Sequence, residues 1–299
     1  MLKDYLIEIF EPSLLFGLLC SSVGLFAAIY FKTINLYLGL IAILGVIIVQ
    51  IAVNLIDDYV DYKIGIDKET TKTKFSGGSI LVTSNKVTTK NIIIISIFAL
   101  IIAGLIGVYI IGFLSSFVIK FIILSMIFGF IATVFYARYL THVPFFAEPF
   151  VSLSFAYVGL AVFVVASNNF LNALELFFFV FIPSGMQVGV AMIANELPDK
   201  KADEKYGRRN TVIMFSDHKK SGLLYLLYYI VVFFLIFAGI YIGFLPITFL
   251  ITLIVLPGIY KVWKGIDSYK DPETHEKTMG INTITAFLLI ALLSLAFII

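Results

Sequence analysis

Acidic residues are scarce in this chain, where Asp, Glu, Lys and Arg together make up 13% of 299 residues, yet they gather in two places. The first reads NLIDDYVDYKIGID, Asn54 to Asp67, and the second NELPDKKADEKYG, Asn195 to Gly207. Each holds an Asp-x-x-x-Asp, Asp57 with Asp61 and Asp199 with Asp203. On a helix, residues four apart share a face, so each pair presents two carboxylates side by side. Such carboxylates repel and hold on to protons unless a cation stands between them. Oxygen ligands without Cys or His nearby suit Mg²⁺, which takes one or two carboxylates, several waters and phosphate oxygens. The same polar stretches carry Lys63, Lys72, Lys74, Lys205, Arg208 and Arg209, which can hold the oxygens of a diphosphate. A single such pair is most simply a solvated loop. Two pairs with matching neighbours point to one paired site.

The neighbours do match. A shift of 142 residues places Asp57 on Asp199, Asp61 on Asp203, Lys63 on Lys205 and Gly65 on Gly207. The two segments follow apolar runs four spans apart, so they emerge on the same membrane face. A weak repeat of a four-helix unit accounts for this, with the site expected in a central cavity at the interface of the repeats.

The elements that position these residues follow from composition. With 61% hydrophobic residues and so little charge, the chain cannot cover a water-facing surface, and most of that surface must meet lipid. A transmembrane helix takes about 20 apolar residues, and nine stretches qualify. They lie near 13–31, 35–56, 91–112, 116–136, 149–167, 173–195, 221–241, 244–260 and 281–299. The chain is therefore read as a single all-α, polytopic membrane domain over 1–299. Nineteen of the 21 Lys and Arg fall on one side of this arrangement, leaving only Lys32 and Lys120 opposite. By the positive-inside rule the amino terminus and the long polar loops are cytoplasmic. A lone Cys20 and three scattered His exclude a disulfide framework or a local zinc site, and a formal charge of +2 gives no case for nucleic-acid binding.

At the acidic segments the sequence resembles the UbiA superfamily of intramembrane prenyltransferases over nearly its whole length. DDYVDYKIG, 57–65, stands at the family's first motif, with Asp57 where Asn is usual and the last acid displaced to Asp67. DKKADEKYGRRNT, 199–211, is similar to the second. The Gly65-x-Asp67 ending and the Phe75-Ser76-Gly77-Gly78-Ser79 string look like the 1,4-dihydroxy-2-naphthoate prenyltransferase branch.

The resemblance implies Mg²⁺-dependent transfer of a prenyl chain from a prenyl diphosphate donor to a hydroxylated aromatic acceptor, a step of menaquinone synthesis, in the plasma membrane of a prokaryote. It implies Asp57, Asp58, Asp61, Asp67, Asp199 and Asp203 as metal ligands, Asp61 and Asp203 being essential. Asn54 and Asn195, about a turn before the acidic pairs, join the cationic residues as substrate contacts. Tyr136, at the cytoplasmic end of span four, is placed to face an allylic cation. Glu148, at the start of span five, either serves the acceptor or is a helix amino-terminal acid favoured by the dipole. Asp61 and Asp203 are expected in solvated loops. Geranylgeranyl transfer to a lipid acceptor, a glycerol phosphate ether lipid, is the competing enzymatic reading. A transporter would place ionisable groups near the bilayer midplane, where this chain has almost none, and a non-catalytic lipid-binding protein would have lost the metal.

Overall fold

The computed structural model describes residues 2–9, 11, 13–70, 73, 75, 78–84, 86–215, 217–266 and 270–299. Among these residues all regular structure is helical. In chain order the helices are α1 (Leu2–Ile9), α2 (Leu14–Tyr30), α3 (Leu36–Ile64), α4 (Ile80–Thr83), α5 (Thr89–Ile111), α6 (Ser116–Tyr139) and α7 (Ala147–Ser167). They continue with α8 (Ala173–Leu176), α9 (Ile182–Lys205), α10 (Thr211–Met214), α11 (His218–Tyr241), α12 (Leu256–Gly265) and α13 (Pro272–Leu295). A π-helical turn, Phe177–Phe181, joins α8 to α9, and a 3₁₀ stretch, Ile247–Val255, leads into α12.

Eight of the resulting segments are long and apolar enough to cross a membrane, and α2 is a shorter apolar helix. Each of the nine predicted spans overlaps one of them. This is an integral membrane protein, apolar around the whole circumference of most helices, as helices in lipid must be.

Burial differs sharply between segments. In the segment that contains α9, 67% of the most apolar window is inside the protein, against 17% for α5 and for the α6 segment. The peripheral helices turn Phe98, Leu105, Phe117 and Leu124 outward, while α9 runs down the middle between α7, α11 and α13. Small residues allow that approach, because lipid supplies no hydrophobic drive and close van der Waals contact must replace it. A Cβ on Gly24 of α2 would lie 2.2 Å from the Gly159 carbonyl oxygen of α7, and one on Gly185 of α9 would lie 2.1 Å from the Ser152 carbonyl oxygen.

The structure corrects the ends of three spans. Helix α3 runs on to Ile64 and α9 to Lys205, past the expected 56 and 195, and α13 already starts at Pro272. Asp61 and Asp203 are therefore not in solvated loops. Both are helical and buried, 8% and 3% exposed, because the two helix ends come together and the following turns fold over them.

Those turns carry the repeat. Gly65 (φ 101°) ends α3 in the left-handed region, its N–H donating to the Asp61 carbonyl at 2.9 Å. Gly207 (φ 83°) does the same for α9. There the Gly207 N–H donates to the Glu204 carbonyl at 3.1 Å and the Arg208 N–H to the Asp203 carbonyl at 3.0 Å, the paired bonds of a Schellman ending. Both glycines are needed for their sign of φ.

Gly185→Ala places a methyl against backbone that cannot yield without moving α7 from α9. We expect a loss of about 1–3 kcal/mol, read as a lower thermal midpoint in detergent.

Candidate functional site

The ends of α3 and α9 share one cavity of about 230 Å³. Helix α3 contributes Asp57, Asp58 and Asp61 to its wall, and the turn after Gly65 adds Asp67. Helix α9 contributes Asn195, Asp199 and Asp203 from the other repeat. The 3.6-residue period explains the selection, since 57 and 61 on one helix and 195, 199 and 203 on the other fall on single faces. Tyr136 of α6 also lines the cavity, its ring stacked on Phe150 at 5.9 Å and 14°.

One guanidinium holds the two repeats together. Arg208, turned back by the Schellman ending, donates through Nη2 to Asp61 Oδ1 and through Nη1 to Asp203 Oδ1, the latter at 3.3 Å. Burial works against its charge, but Asp61, Asp203 and Asp57 more than offset that and raise the guanidinium above its ordinary value. Arg208 therefore stays protonated. Asn210 Nδ2 donates to Asp203 Oδ2 at 3.1 Å while Asn210 Oδ1 caps α10 through the Ile213 N–H. The next residue, Thr211, donates its N–H to Glu148 Oε1 at 2.7 Å. Glu148 is wholly buried and stands at the first turn of α7.

Other sequence-predicted residues lie elsewhere. Asn54 donates to Ser13 Oγ at 2.7 Å and does not line the cavity. The Lys63 ammonium sits 5.8 Å from the Tyr59 ring centroid, on the exposed side of α3. Lys205 is exposed and paired with Glu69 at 2.7 Å, with the Tyr206 hydroxyl donating to the same carboxylate at 2.9 Å. These two partners hold the Glu69 carboxyl below its ordinary value and tie the turn after the first motif to the end of α9. Arg209 is exposed, and its backbone pairs with Thr141 and Phe145 at 2.9 and 3.2 Å. Lys72 and Lys74 lie outside the described residues.

The sequence reading missed Glu196, which lines the cavity from α9. The signal was present: the 142-residue shift that aligns the acidic pairs also places Asn54 on Glu196. Met192, Glu196, Asp199 and Asp203 then follow one another down a single helix face.

The donor set fits Mg²⁺. Asp57 Oδ1 and Asn195 Oδ1 are buried and accept no hydrogen bond among the described residues, so each keeps lone pairs that a cation can take. Among the described residues no three of Asp, Glu, His and Cys stand close enough to grip one ion alone. Mg²⁺ ordinarily keeps waters and takes phosphate oxygens as its remaining ligands.

A family model for UbiA prenyltransferases matches residues 14–298. The chain belongs to the UbiA prenyltransferase family. Its fold is also that of solved UbiA structures. An apo UbiA homolog from Aeropyrum pernix K1 superposes with a TM-score of 0.72 at 12% identity, covering 96% of this chain and 98% of its own. A UbiA homolog from Archaeoglobus fulgidus bound to DMAPP and Mg²⁺ gives 0.58 at 12% identity, covering 98% and 99%. A digeranylgeranylglyceryl phosphate synthase gives 0.58 at 20% identity, covering 99% and 97%. No curated protein sequence matches.

The Gly-x-Asp turn of this UbiA protein packs under Gly78. Gly78 (φ 67°) lies so close to Asp67 that a Cβ would sit 1.8 Å from Oδ1. Phe75 reaches across the cavity rim, its ring 3.3 Å from where a Cβ of Gly280 on α13 would be. Gly78→Ala meets both a disfavoured φ and the carboxylate. We expect it to displace Asp67 and cut activity at least tenfold, with the thermal midpoint nearly unchanged because the turn lies at the rim.

Proposed function

We propose that this UbiA-family prenyltransferase carries out Mg²⁺-dependent transfer of a prenyl chain from a polyprenyl diphosphate to a hydroxylated aromatic acceptor such as 1,4-dihydroxy-2-naphthoate. The reading rests on one observation: the acidic faces of α3 and α9 meet in a single cavity at the membrane-helix ends, with Arg208 between them. Asp57, Asp61, Asp199 and Asp203, with Asp58 and Asp67 beside them, are the residues that would hold Mg²⁺. Bound there, the ion neutralises charge on the diphosphate as it departs. Arg208 and Asn195 supply direct contacts to diphosphate oxygens. The allylic cation left behind must be kept from water, and the buried wall beneath the acids does that, with the Tyr136 ring offering its face.

The acceptor class is argued from two features. Asp67, Phe75 and Gly78, the residues that resemble the naphthoate branch, all line the cavity. Among the described residues Arg208 is the only Lys or Arg that does so, which suits one diphosphate better than a diphosphate together with an acceptor phosphate. The ether-lipid reading stays as the second, favoured by the 20% identity to a digeranylgeranylglyceryl phosphate synthase. Because nineteen of the 21 Lys and Arg fall on the side of this cavity, we place it on the cytoplasmic face of a prokaryotic plasma membrane.

The test is prenyl transfer from geranylgeranyl diphosphate in membranes. The acceptor panel holds 1,4-dihydroxy-2-naphthoate, 4-hydroxybenzoate, homogentisate and geranylgeranylglyceryl phosphate, with EDTA as control. We expect an EDTA-sensitive product with the naphthoate, and a product with the glyceryl phosphate alone would replace our reading by the second. Asp203→Asn, which keeps a partner for Arg208, should lower kcat about 100-fold or more, as should Asp61→Asn. Wild-type turnover in both would remove the metal site. Asp57→Asn should stay active, because a neutral oxygen ligand serves at that position.

A further inference from the structure

Pro198 stands inside α9, one residue before Asp199. A proline has no N–H, so the carbonyl of Ala194, four residues earlier, loses its partner in the helix ladder. The break falls within the cavity wall, with Asn195 before it and Asp199 and Asp203 after it. The first repeat has no such break. The 142-residue shift places Ala52 on Ala194 and Ile56 on Pro198, and Ile56 keeps the N–H that α3 needs there.

The missing donor comes from another helix. His275, on the first turn of α13, brings Nε2 to 2.9 Å from the Ala194 carbonyl oxygen. A carbonyl oxygen only accepts, so Nε2 carries the proton and donates it. Both residues are buried, His275 at 1% exposure and Ala194 at 0%, where an unmet carbonyl is costly. Two helical turns further along α13, Asn282 Nδ2 donates to the Val190 and Ala191 carbonyls at 3.2 and 3.4 Å. Two side chains of the last helix thus grip α9 before the break, while Arg208 bonds to Asp203 beyond it.

We propose that His275 is a positioning residue for the second acidic motif. By supplying the donor that Pro198 withholds, it sets the direction in which α9 carries Asp199 and Asp203 past Asn195. This inference rests on the prenyl-transfer reading. The imidazole touches no substrate and gives up no proton in the reaction. A helix that lacks one rung bends most easily at that rung, and a bend displaces everything after it. Misplacing reacting groups by about 1 Å can cost roughly 100-fold in rate. The grip on metal and diphosphate therefore depends on a residue of α13, the last helix of the chain, which sequence spacing does not connect to either motif.

The test uses the full-length protein in membranes, with whichever acceptor of the panel above the wild type prenylates. His275→Leu fills much of the same space and withdraws the donor. It should raise the KM for geranylgeranyl diphosphate, and the Kd of geranylgeranyl thiodiphosphate with Mg²⁺, about tenfold. The acceptor KM should stay within about twofold, because the break in α9 bears on the diphosphate ligands. His275→Gln, whose terminal amide carries an N–H at comparable reach, should bring both values back to within about threefold of wild type, whereas the shorter His275→Asn should not. Pro198→Ala returns an N–H to α9, so in that background His275→Leu should cost less than about threefold. A histidine that only held the fold together would lower the thermal midpoint and leave the donor KM unmoved. His275→Leu with wild-type donor KM and binding overturns the proposal and leaves the transfer reading intact. So does an equal loss with and without Pro198. If His275→Leu does not fold, His275→Asn decides in the same two backgrounds. Absence of transfer by the wild type with every acceptor overturns the transfer reading first, and with it this role.

Discussion

Repulsion among carboxylates is the constraint on which this molecule is organised. Six aspartates line a cavity of about 230 Å³, and among the described residues one guanidinium faces them. At an effective dielectric of about 20, two like charges 4 Å apart cost roughly 4 kcal/mol, so such a set holds together only with cations beside it. The arrangement is tolerable only where cations can reach it, and it cannot lie deep in hydrocarbon. Helices α3 and α9 meet that requirement by running past the apolar zone and keeping their acidic faces turned toward each other. The carboxylates are thus half sheltered: buried enough to grip a charged ligand strongly, open enough to exchange it.

Everything beneath the acids serves to fix those two helix ends. Gly24, Gly159 and Gly185 let α2, α7 and α9 touch backbone to backbone, which sets where the end of α9 emerges. Two left-handed glycines then stop the helices, and the second sends Arg208 back over the pair it bridges. Glu69 with Lys205 and Tyr206 closes the same joint from outside. The inner contacts are buried and the outer one is solvated, so salt weakens the rim before it reaches the centre.

Much of this was legible in the sequence. Nine apolar runs, two acidic segments and a 142-residue repeat are one-dimensional signals, and each has its counterpart in the fold. Asp57, Asp61, Asp199 and Asp203 do share one cavity, as their spacing predicts. The side chains that the reading assigned to diphosphate by charge alone fared differently. Lys63, Lys205 and Arg209 point to solvent or to a neighbour, since a cation beside a motif in sequence can leave the helix on any face. Helix ends were also misplaced, because hydropathy marks where the membrane stops and not where the helix does. Glu196 stands inside the second acidic segment but outside its Asp-x-x-x-Asp pair, so the four-residue spacing alone gave it no part in the site.

The stretch from Asp203 to Thr211 has a consequence for how such chains can vary. Asp203 and Arg208 lock α9 to α3, the Gly207 turn fixes direction, the Arg209 backbone pairs with the segment after α6, and Thr211 reaches α7. Three neighbours are thus met by nine consecutive residues, each at one register. An inserted or deleted residue anywhere within it would move at least one of these contacts by a full backbone step, about 3.8 Å, with no slack to absorb it. Relatives that keep this site should therefore differ here in letter but never in length.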